Sequence, residues 1–155
     1  MKAESPQSRF AGFLAKYDPA VAAVGKKAIA KLRKLLPGAV ELVYDNYNAL
    51  VVAFGPNERA SEALMSIALY PRWVNVFFAD GVALADPKGL LQGSGKHVRH
   101  IALSDATDLD KPEVRALVTQ VVKRSASPLP KKSRGTMVIK SISAKQRPRR
   151  PSAKS

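Results

Sequence analysis

The chain has 155 residues with 26 Lys and Arg against 12 Asp and Glu, a formal net charge of +14, 46% hydrophobic residues and no cysteine. That size and apolar content suit one globular domain, and the lack of cysteine excludes disulfides, thiolate metal ligands and a cysteine nucleophile, which fits a reducing compartment. No apolar run approaches the roughly 20 residues of a membrane span and the first nine residues carry no signal-peptide core, so the expectation is a cytoplasmic protein with no membrane partner.

The charge is unevenly placed. Up to Val122 there are 15 Lys and Arg against all 12 acids, whereas residues 123–155 hold 11 Lys and Arg and no acid. The division expected from this is an α+β domain over 1–122 and a basic, largely disordered tail over 123–155.

Taken in order, Ser8 is a candidate cap for a short helix presenting Phe10, Phe13 and Leu14 and ending near Tyr17. Asp18 followed by Pro19 starts a second helix, with Val21, Val24, Ala28, Leu32 and Leu35 at helical spacing until Pro37-Gly38. Its other face carries Lys26, Lys27, Lys31, Arg33 and Lys34, either a solvated surface or an anion contact. From Val40 to Phe54 the pattern changes to apolar, β-branched and aromatic residues around Asp45-Asn46-Tyr47-Asn48, as in a hairpin. Leu64–Tyr70 and Trp73–Phe78 form a second pair around the corner Tyr70-Pro71-Arg72. A long connection through Asp86-Pro87, Gly89, Gly93 and Gly95 leads to a fifth strand at 97–103. Leu109, Asp110, Pro112, Glu113 and Val114 suggest a capping box and staple for a last helix with the stripe Val114, Leu117, Val118 and Val121. In the tail, SASPLPKKSRG reads as linker, and 136–142 (TMVIKSI) alternates like a short edge strand or a docking segment.

The segments LPGAVELVYDNYNAL, SIALYPRWVNVFFADG and ADPKGLLQGSGKHVRHIAL, in that order, make the stretch from Phe10 to Val122 resemble the YdhG-like family of small bacterial domains. The resemblance implies a single antiparallel sheet of about five strands covered by N- and C-terminal helices, in a frataxin-like arrangement. An antiparallel sheet with helices on one face is also the economical way to bury the predicted elements.

Two groups of residues carry candidate chemistry. Glu41, Tyr44, Asp45, Asn46 and Tyr47 place two carboxylates and two phenols beside a turn. They suit a hard cation or a small polar ligand, or else Asp45 and Asn46 merely close the turn. Gly93-Ser94-Gly95-Lys96 fails as a phosphate loop, because Leu90 and His97 stand where Gly and Ser or Thr are needed. Beyond it, His97 and Arg99 share one strand face and His100 lies on the other. Arg99 is expected either to pair with Asp45, Asp80 or Asp86, or to recognise an anion, or to serve a metal or catalytic site. Tyr44, Asp45, Tyr47 and Arg99 are therefore the candidates for a small ligand.

Because one YdhG-like member has been proposed as a frataxin-like iron chaperone, the resemblance also implies weak iron binding. With a basic long helix, such a site would draw on Glu41, Asp45, Asp80, Asp86, His97 and His100. No GxSxG elbow, HExxH, dinucleotide fingerprint or two-metal acid cluster is present, so the reading is a non-enzymatic binding protein with iron as candidate ligand. The alternative is a binder of nucleic acid or another polyanion, with the tail cations Lys131, Lys132, Arg134, Lys145, Arg147, Arg149 and Arg150 as its contacts.

Overall fold

In the computed structural model, which describes residues 4–130 and 136–151, one open sheet is covered on one face by helices. Helix α1 spans Pro6–Leu14, and its cap is Ser5 rather than Ser8, with the Ser5 hydroxyl accepting the Ser8 N–H at 3.0 Å. The earlier start follows from Pro6, which occupies the first helical turn where a missing N–H costs nothing. Helix α2, Pro19–Leu35, buries Gly25, Ala28, Ile29 and Leu32. Gly25 lets it settle directly on the sheet, since a Cβ there would stand 2.6 Å from Leu69 Cδ2. The helix stops at Pro37-Gly38, with Gly38 in the left-handed region at φ 81°.

The strands are β1 (Val40–Asp45), β2 (Leu50–Gly55), β3 (Met65–Leu69), β4 (Val74–Phe78), β5 (Arg99–Leu103) and β6 (Met137–Ile142), in the spatial order β5-β4-β3-β2-β1-β6. The first five form an antiparallel meander, but β6 runs parallel to β1, with an irregularity between Val43 and Tyr44. The sheet is thus six-stranded and mixed, not a purely antiparallel sheet of five. The reason is that the chain returns after its last helix to the open edge of β1, and so long a connection permits the parallel direction that a hairpin forbids.

One cross-strand row, Val43-Val52-Ile67-Val76-Ile101, points toward the helices, and its first four members are buried. The alternate row, Leu42-Ala53-Ser66-Phe77-His100, lies on the face away from the main core. Helix α3, Pro112–Arg124, closes the core with Val114, Leu117, Val118 and Val121. Its capping box stands earlier than expected, in the 3₁₀ turn Ala106–Asp110, where Asp105 and Asp108 cap one another's backbone. Lys111, the residue that caps α3 itself, makes no side-chain capping bond.

The described tail joins this body. Met137 is buried in the main core, and beyond β6 the Ser143 N–H donates to the Asp45 carbonyl at 2.9 Å. No helix among the described residues is long and apolar enough to cross a membrane.

Candidate functional site

Alternation along β1 directs Glu41 and Asp45 toward the helices, and both carboxylates are buried. Burial of a charge demands partners. Glu41 receives a two-pronged bond from Arg33 of α2, Nε to Oε2 at 2.8 Å and Nη2 to Oε1 at 2.9 Å. Asp45 accepts Lys16 Nζ at 2.7 Å on one oxygen and Arg149 Nη2 at 2.8 Å on the other. Arg149 also donates to the carbonyls of Asn46 and Tyr47, and its guanidinium lies 5.7 Å from the Tyr17 ring centre. Tyr17 in turn donates to the Leu69 carbonyl at 2.7 Å and accepts the Leu50 N–H at 3.1 Å. Burial pushes the Asp45 carboxyl up, but the bonds from Lys16, Gln146 and Arg149 outweigh it and hold the group below the usual carboxylate range. The cluster ties the end of the tail to the β1–β2 turn and to the start of α2.

The structure does not gather the residues expected for a metal site. Asp45 and Glu41 have their oxygens committed as above. Asp80 stands near Arg124, at 3.3 Å, and Asp86 accepts the N–H groups of Leu90 and Leu91 at 2.9 Å each. His97 is exposed with Nδ1 3.9 Å from Asp80, and His100 packs against Phe77 at 5.4 Å between ring centres. Among the described residues, no three acids or histidines converge as metal ligands. Arg99 donates to the carbonyls of Gly95 and Val98 at 2.6 and 2.8 Å, rather than to Asp45, Asp80 or Asp86. For Asp45 the reason is distance: β1 and β5 are four strand spacings apart, about 19 Å. Tyr44 points to the face opposite Asp45, and its hydroxyl is buried with no partner among the described residues. The expected ligand group Tyr44, Asp45, Tyr47 and Arg99 is therefore split between two faces and two ends of the sheet.

What the fold does gather lies at the end of the sheet where the β1–β2 and β3–β4 turns meet the tail. Tyr70 and Trp73 are stacked, with ring centres 5.3 Å apart and planes 24° from parallel, across a turn closed by Tyr70 N–H to Trp73 carbonyl at 2.9 Å. Pro71 and Arg72 form the corner between them. Tyr47 and Trp73 are each 49% exposed, high values for aromatic rings. The tail passes beside them: the Arg147 N–H donates to the Tyr47 carbonyl at 2.9 Å, and its guanidinium lies 5.6 Å from the Tyr47 ring centre. Between the turns is a cleft of about 560 Å³ lined by Asn48, Tyr70, Pro71, Arg72, Trp73 and Arg147. Lys145 is exposed on the same segment, whereas Arg150 meets the α1–α2 junction, donating to the carbonyls of Lys16 and Ala15 at 3.3 Å with Asp18 4.0 Å away.

Of the tail cations expected to meet phosphates, Lys145 and Arg147 are exposed beside the β1–β2 turn, and Arg150 is exposed at the α1–α2 junction. Arg149 is corrected: at 5% exposure it is a structural cation spent on Asp45. Lys131, Lys132 and Arg134 lie outside the described residues. Sequence reading singled out Tyr47 and the tail cations but passed over Tyr70, Arg72 and Trp73. Their signal was the YPRW corner itself, two aromatic rings and a cation placed on a turn, where side chains stand clear of the sheet. Comparison with family models, with curated proteins and with solved structures finds no match to this chain.

Proposed function

We propose that this protein is a non-enzymatic, cytoplasmic binding protein for single-stranded nucleic acid, which it takes at the aromatic and basic end of the sheet. The observation that carries the reading is the exposed stack of Trp73 on Tyr70, flanked by Tyr47, Arg72 and Arg147, with Lys145 exposed on the same segment of the tail. Unstacked bases gain about 1–3 kcal/mol each on aromatic rings, while neighbouring cations follow the phosphates. A duplex hides the faces of its bases and could use only the cations. In this reading the YdhG-like resemblance of the strand segments describes the scaffold. Weak iron handling, the activity that the resemblance implied, has no comparable gathering of side chains behind it among the described residues.

Trp73 is the chain's single tryptophan, so intrinsic fluorescence reports directly on the site. Titration at low salt with a dodecamer of deoxythymidine or of uridine is expected to quench it. Trp73→Ala, followed by anisotropy of a labelled oligonucleotide, should weaken binding by about 5- to 150-fold, the equivalent of one stacked base. Unquenched fluorescence at saturation, or equal affinity of the wild type for single strands and duplex, would overturn the reading.

A further inference from the structure

A groove of about 560 Å³ lies between helices α1 and α2 beside β6. Phe10 and Leu14 of α1, Ala22 and Ile29 of α2 and Met137 of β6 supply its apolar surface. The charged residues lining it are Lys26, Arg33 and Arg150, and no carboxylate does so. Arg33 is engaged by Glu41, and Arg150 reaches the carbonyls at the end of α1. Lys26 is exposed and forms no ion pair among the described residues.

We propose that this groove binds an amphiphile with one apolar chain and an anionic head group, the chain lying between the helices and the head meeting Lys26. Three properties favour that occupant. The volume is that of a small-molecule site. Besides the three cations the lining has only two polar side chains, Gln7 and Tyr17, and the Tyr17 hydroxyl is already bonded to Leu69 and Leu50, so a peptide backbone laid within would leave most of its polar groups unsatisfied, whereas an alkyl chain has none. Of the three cations on the rim, Arg33 is paired with Glu41 and Arg150 stands 4.0 Å from Asp18, which leaves Lys26 as the charge that attracts an anionic head and repels a cationic one. The site is separate from the proposed nucleic-acid cleft and stands or falls independently of it.

The test is titration calorimetry with dodecanoate, dodecanol and dodecyltrimethylammonium below their micellar concentrations. Dodecanoate is expected to bind at a single saturable site, at least 10-fold more tightly than either of the others. Ala11→Phe and Ala23→Phe, at exposed positions that line the groove, should fill it and reduce dodecanoate affinity 10-fold or more, with circular dichroism and oligonucleotide binding unchanged. Lys26→Glu should remove the preference for the anion. Equal binding of the three head groups, unchanged binding by folded groove-filled variants, or no saturable binding would each overturn the proposal. So would concentration-dependent self-association that Ala11→Phe abolishes, since the groove would then be occupied by a second copy of the chain.

Discussion

Asp45 shows how much one side chain can organise when it is buried as an ion. Its two cationic partners satisfy it from opposite directions, Lys16 from 29 residues before it and Arg149 from 104 residues after it. Asp45→Asn would remove the charge and leave Arg149, whose side chain is 3% exposed, without its counterion. Breaking a buried pair from one side costs about 3–5 kcal/mol, so chemical denaturation should show a loss of that size. The pH dependence has a definite sign. The folded-state pKa lies below the ordinary value, so the stabilisation is fully present above about pH 4, the unfolded value, and is lost as the pH falls through the lower folded one. The wild-type melting temperature should therefore drop on acidification below pH 4, and the Asn variant should lack that part of the drop. Equal slopes for both would place the acid sensitivity elsewhere. Alternation along β1 made it legible that Glu41 and Asp45 share a face. That each would be paired there was not legible: Arg33, 8 residues before Glu41, read only as part of a basic helix face, and no local pattern announces Arg149, 104 residues after Asp45.

At the scale of elements, legibility followed the range of the interactions that make them. The two hairpins show in the sequence because Asp45-Asn46-Tyr47-Asn48 and Tyr70-Pro71-Arg72 are turn formers lying between the strands they join. The register of β6 against β1 depends on an encounter between distant segments, and alternation over 136–142 gives neither the neighbour nor the direction. The caps of α1 and α3 slipped for a related reason: Ser5 and Ser8 before the one, and Asp105, Asp108 and Asp110 before the other, all suit a cap, and in α1 the one used depends on where Pro6 fixes the first turn. Because Met137 enters the core and Arg149 neutralises Asp45, removing residues 123–155 should destabilise the remainder by several kcal/mol. For comparison, truncating one buried methionine to alanine costs about 2–5 kcal/mol. Thermal unfolding of the 1–122 protein should show a markedly lower midpoint. Midpoints that coincide would show that β6 and the segment after it add no stability, and that 1–122 is a self-sufficient unit.

For the whole molecule, the charge count along the chain and the charge in space tell different stories. Residues 123–155 hold 11 cations, yet Arg149 is buried against Asp45, Arg124 stands beside Asp80 and Lys140 donates to the Glu58 carbonyl at 3.3 Å. Among the described tail cations, Lys145 and Arg147 remain exposed on the segment that passes the aromatic cleft, so this part of the tail presents its open charge there. If single strands bind there, each phosphate contact contributes about −0.7 to the slope of log affinity against log salt. Lys145 and Arg147 are exposed, so Lys145→Glu with Arg147→Glu is a change the fold can carry. The double variant should make the slope for a labelled single strand shallower by about 1.4, with the far-ultraviolet spectrum and melting temperature close to wild type. An unchanged slope in a folded double variant would move the phosphates to another surface, the basic face of α2 first among them, even if Trp73 were still quenched. A lost slope with persistent quenching would separate the two halves of the site, bases held by the rings and phosphates by the tail.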